Sequence, residues 1–163
     1  MIVSGLAIAD VVWHTDALQA VSAGFHVAFY LWAAGSLMVY MLSDSRVTTD
    51  ELYAVGATFT LVAWAFAYLF VIMQIAQPGC FIAAVAPDAQ RTWTELLFLS
   101  FTNLSSTGLS DIVPVTAHAR SVVMLEQLAG LAYVALFVSR LVGLTLSRRP
   151  TSSGRVGVGS ESE

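Results

Sequence analysis

WTELLFLSFTNLSSTGLSDIVP, residues 93–114, changes character halfway along. Trp93 to Leu104 is an apolar run of helix length. It then turns abruptly into small hydroxyl residues and one glycine (Ser105, Ser106, Thr107, Gly108, Leu109, Ser110) and closes on Asp111 and Pro114. The apolar run falls short of the ~20 residues that cross a bilayer. It reads as a re-entrant half-helix that dips into the membrane and ends at depth. Backbone that leaves a helix there is tolerated only where protein surrounds it or where it lines a water-filled cavity.

The flanking sequence agrees with a membrane setting. The chain has 163 residues, 57% hydrophobic and 11% charged, with a mean hydropathy of +0.75. A soluble domain carries roughly 25% charged residues. Val21 to Leu42 holds no Lys, Arg, Asp or Glu and is long enough to cross. Leu52 to Gln77 is a second span, stopped by Gln77-Pro78-Gly79, and Arg120 to Leu146 is a third. Met1 to Gln19 is short and polar at its end for a span and reads as an interfacial or membrane segment, with Trp13 at headgroup level in the interfacial case. Thr49 or Asp50 is the candidate N-cap of the second span. Thr151 to Glu163 is Gly/Ser-rich and polar, as expected of a disordered tail. The net charge of −4 says little, because charges lie mostly in loops and ends. The single cysteine, Cys80, excludes a disulfide within the chain.

All seven basic residues are arginines. Arg46 follows the first span, and Arg148, Arg149 and Arg155 follow the last. If the half-helix enters and leaves on one face, these ends share a side, and the positive-inside rule places it in the cytoplasm. The re-entrant loop then opens outward.

Order and spacing carry a resemblance over Val47 to Leu144. VTTDELY (47–53) opens an outer helix, QPGCF (77–81) ends it, and LLFLSFTNLSS (96–106) forms the half-helix. DIVPVTAHARS (111–121) is similar to an exit turn of the form GDIxPxTxxAR, and LEQLAGLAYVALFVSRLVGL (125–144) to an inner helix. Together they resemble the bacterial two-transmembrane pore module of potassium channels. The resemblance implies an all-α membrane protein: outer helix, re-entrant pore half-helix with filter loop, inner helix, and here an extra N-terminal span. It divides the chain into residues 1–19, a transmembrane domain 20–146 with its pore module at 47–146, and a cytoplasmic tail 147–163. It implies a multi-pass protein of the cell (inner) membrane. One half-helix per chain cannot enclose an axis, so the pore is expected to be a homotetramer.

The family's filter signature is TVGYG followed by Asp; here Ser106, Thr107, Gly108, Leu109 and Ser110 precede Asp111. By the resemblance these five residues coordinate the ion, with K+ or another monovalent cation held through Ser106, Thr107 and Gly108. Ser106 matches the first threonine and Gly108 the central glycine. Leu109 stands where a tyrosine ties the filter to its surroundings, and Ser110 where a second glycine is expected. A left-handed backbone at a non-glycine residue costs of order 1 kcal/mol, so Ser110 is expected to disfavour the usual outer filter. Number and stiffness of coordinating carbonyls bear on K+ over Na+ choice. Trk-type transporters, which resemble this loop in keeping one glycine per segment, show that one glycine does not preclude a pore.

The remaining candidates carry two readings each. Asp111 forms an acidic ring at the outer mouth or braces the loop. Gly130 is the gating hinge of the inner helix or a close-packing site. Glu126 is expected to support the pore helix from behind, through Thr102 or Asn103, protonated or hydrogen-bonded at that depth. His26 is a functional intramembrane group or an interfacial histidine beside Tyr30; His118 is a sensor of external pH or a surface residue. Glu95 suits the helix dipole, and Arg140 can snorkel to the inner interface. No enzymatic activity, cofactor or nucleic-acid partner is expected. The expected partners are a second copy of the chain, the lipid bilayer, and permeant K+ and/or Na+. The competing reading is a non-conducting, pore-like protein that acts through assembly.

Overall fold

The computed structural model describes residues 2–43 and 49–147. The expectations placed on Arg46 and on the tail after Ser147 lie outside the described residues. Four helices and two short strands follow in order: α1 (Ile2–Ser43), α2 (Thr49–Ala76), β1 (Phe81–Ala83), α3 (Trp93–Leu104), β2 (Ile112–Pro114) and α4 (Ala117–Ser147). Three helices are long and apolar enough to cross a membrane, over Asp16–Ser43, Tyr53–Ala76 and Ala117–Arg140. The fold is an all-α membrane architecture of outer helix, re-entrant helix and inner helix, with one further helix in front.

α1 runs antiparallel along α2: Met41 meets Thr58 near one end and His26 meets Tyr68 toward the other. Residues 2–19, read as an interfacial or membrane segment, are helical and continue into the first span without a break. The chain has no proline before Pro78, so nothing there removes a helical hydrogen bond or forces a stop. His26 takes the local arrangement: its Nδ1 lies 2.7 Å from the Ser22 carbonyl and its ring stacks on Tyr68 at 4.5 Å. Tyr30, Trp64 and Trp93 extend this aromatic group to the first residue of α3.

α2 packs against α3, and α3 against α4. Ala63, Ala65 and Ala67 keep the α2 surface low, while Phe70, Phe81, Leu96, Leu99 and Ile112 fill the space between elements. β1 and β2 pair antiparallel, with Phe81 opposite Pro114, Ile82 opposite Val113 and Ala83 opposite Ile112. Both stretches read as loop in the sequence, since three residues are too few to display an alternating pattern. The ladder is extended by Val115 N donating to Cys80 O at 2.9 Å. α4 starts at Ala117, before the expected Arg120, because Thr116 Oγ1 accepts from Ala119 N and caps the helix.

Candidate functional site

The entry to α3 is a capping box. Thr92 Oγ1 accepts from Glu95 N at 3.3 Å, while the Glu95 carboxylate accepts from Thr92 N at 2.6 Å. The backbone and hydroxyl bonds from Thr92, and the Arg91 charge 3.6 Å away, hold the Glu95 carboxyl below the usual glutamate range. Gln74 near the end of α2 grips the Arg91 backbone from both sides, Nε2 donating to Arg91 O at 2.9 Å and Oε1 accepting from Arg91 N at 2.8 Å. The Arg91 guanidinium donates to the carbonyls of Val85, Ala86 and Ala89. The direction and depth of α3 are therefore fixed from α2, through a side chain embedded in an otherwise apolar span.

The middle of α3 is held at one hydroxyl. Ser100 Oγ lies 2.8 Å from the Ala63 carbonyl of α2 and hydrogen-bonds Glu126 Oε1 of α4. Ser100 and Glu126 are both fully buried. Glu126 was expected to support α3 through Thr102 or Asn103; its hydrogen-bond partner on α3 is Ser100. Asn103 Nδ2 and Glu126 Oε2 are also enclosed and make no hydrogen bond by ordinary geometry.

The exit from α3 fixes the loop. Ser105 caps the helix, and Ser106 follows in the left-handed region at φ 59°. Ser106 N donates to Asn103 O, while Thr107 N and Gly108 N both donate to Thr102 O, at 2.9 and 3.0 Å. This is a Schellman closure with serine at the position that usually takes glycine. In a trans peptide the N–H and the preceding C=O point in opposite directions. Two successive amides turned back onto Thr102 O therefore turn the carbonyls of Ser106 and Thr107 away from α3. Gly108, at φ 63°, then reverses the hand of the chain. The Thr107 hydroxyl points back toward Thr102 O and Ser105 Oγ, at 3.2 and 3.0 Å, so Thr107 offers its main chain outward and its side chain inward.

Alongside lies a recess of about 410 Å³ lined by Ser106, Gly108, Gln127, Leu128 and Leu131. Gln127 was not a candidate from sequence; its signal was a polar residue next to Glu126 in an apolar helix. Gly130 of α4 approaches the end of α3 so closely that an added Cβ would collide with the Leu104 carbonyl, its carbon lying 2.8 Å away.

Left-handed backbone occurs at Ser106 and Gly108, while Ser110, where the strain was expected, does not adopt it. Ser110 Oγ instead accepts from Ile112 N at 3.1 Å. Leu109 and Asp111 are exposed beside it. His118 is also exposed, its Nδ1 3.2 Å from Gln77 Nε2, and Gln77 Oε1 accepts from Thr116 at 3.1 Å. The structure thus brings Ser106, Thr107 and Gly108 together at the helix end, with Glu126 and Gly130 behind them, and sets Leu109, Ser110 and Asp111 apart on the way to β2.

Outward-facing carbonyls at the end of a helix favour a cation, since the helix C-terminus carries partial negative charge. A family model described as ion channel matches residues 27–146 of the chain. No match was found among curated proteins or among solved structures.

Proposed function

The chain belongs to the ion-channel family, and from that premise we propose that it is the pore-forming subunit of a homotetrameric cation channel of potassium-channel type. The observation that carries this reading is the paired amides of Thr107 and Gly108 on Thr102 O. They turn two carbonyls away from the re-entrant helix, and a recess lined by Ser106 and Gly108 lies alongside. Four such loops around an axis make rings of oxygen that replace an ion's water. Exposed Asp111 at the mouth raises the local cation concentration.

The protein sits in the cell membrane with its C-terminus in the cytoplasm, α3 entering and leaving from the outer face. K+ is the permeant ion implied by descent. The test is flux from proteoliposomes made with the full chain, alongside the mass of the detergent-solubilised oligomer. A tetramer that passes cations, and loses that flux on Gly108→Pro with the tetramer intact, supports the reading. A stable monomer or dimer, or a tetramer silent to every cation, overturns it.

A further inference from the structure

The loop after α3 divides at Gly108. Up to that residue it is laced to the re-entrant helix by the amides of Ser106, Thr107 and Gly108. Beyond it, among the described residues, the amides of Leu109, Ser110 and Asp111 make no main-chain hydrogen bond to α3. The outer half is tied to a different element. Ser110 Oγ takes the Ile112 amide, and Ile112 opens β2, paired with Ala83 of β1. Because Ser110 stays out of the left-handed region, the alternation of hands that would keep further carbonyls in line stops at Gly108. The Thr107 hydroxyl, turned toward Thr102 O, adds no ligand.

Two carbonyl rings, from Ser106 and Thr107, enclose one space between them. A cation there loses its water to protein oxygen; beyond Gly108 no bond to α3 holds a further carbonyl in line with the first two. Discrimination of K+ from Na+ depends on the number and field strength of the coordinating carbonyls, and a queue of ions needs adjacent sites.

We infer that this loop provides one dehydrated cation site in place of a queue, passes K+ and Na+ with similar ease, and owes this to Ser110, which diverts the outer half onto β2. This inference rests on the proposed pore reading and names the ion class of that pore. Leu109 belongs to the same diverted segment: 77% exposed, it makes no polar tie to the chain's own α3.

The experiment is bi-ionic reversal potentials across planar bilayers holding the full-length oligomer, first with K+ against Na+, then with KCl gradients. The expected result is a K+/Na+ permeability ratio within about tenfold of unity, with chloride excluded. The double variant Leu109→Tyr with Ser110→Gly is expected to raise that ratio by about tenfold or more, by returning the outer half to the axis. A wild-type preference for K+ of about a hundredfold overturns the inference while leaving the cation pore intact. An unchanged reversal potential in a double variant that still conducts overturns the role of Ser110. Silence toward both cations from an intact tetramer overturns the pore reading itself, and this inference with it.

Discussion

Gly130 of α4 lies directly against the Leu104 carbonyl at the end of α3, with no room for a side chain between them. A pure hinge and a packing contact make opposite predictions for Gly130→Ala. In a helix interior, alanine gains ~1 kcal/mol over glycine, so a residue needed only for bending would leave the folded protein more stable. The collision predicts the reverse: about 1–3 kcal/mol of lost stability and a displaced loop after α3. Thermal unfolding in detergent, read beside single-channel conductance, separates the two.

Glu126 and Ser100 form the buried polar joint behind the re-entrant helix. Glu126→Gln keeps the shape and a hydrogen-bonding group, and is expected to stay within about 1 kcal/mol of the wild type. Glu126→Ala leaves Ser100 and Asn103 facing a void and is expected to cost about 2–5 kcal/mol. Chemical denaturation of both variants checks the order. Equal losses would show that the volume and hydrogen-bonding capacity preserved by Gln contribute nothing to the joint.

Gln74→Ala removes both bonds to the Arg91 backbone and leaves a buried donor and acceptor unpaired. The expected loss is about 1–3 kcal/mol. Hydrogen exchange should quicken first at the Arg91 amide and at the first turn of α3. Gln74→Glu restores only the acceptor half and should recover part of the protection.

The Glu95 carboxyl, held below its usual range by the Thr92 bonds, gives the capping box a pH signature. A carboxyl whose folded pKa is depressed adds stability that is fully present above its unfolded pKa. That stability fades as the pH falls through the folded value. Melting temperatures of the wild type are therefore expected to drop below about pH 4.3 more steeply than those of Glu95→Gln. Parallel curves would sink the assignment.

Much of this arrangement was legible before any coordinates. The re-entrant helix was read with both its ends correct, because an apolar run ending in hydroxyl residues and glycine leaves little freedom. The three spans followed from length and the scarcity of charge. The continuity of α1 was not legible, because the polar residues near Trp13 suggest a boundary while the helix runs on through them. The Gln74–Arg91 grip joins residues 17 positions apart. Its one trace in the sequence is an amide inside a span, where an unpaired polar group is costly. The strain was expected at Ser110 because the family pattern places glycine there. The chain resolves that mismatch by turning Ser110 toward β2 and accepting the left-handed turn at Ser106 instead.

The Thr102 oxygen that gathers the amides of Thr107 and Gly108 is a main-chain atom. No substitution at position 102 can delete it. A framework anchored in this way leaves the identities of neighbouring side chains free to drift while the path of the loop persists. Up to Gly108 its lettering can vary without removing the acceptor of either amide. Kinship among such loops is better sought in which amide meets which oxygen than in which residues spell the turn.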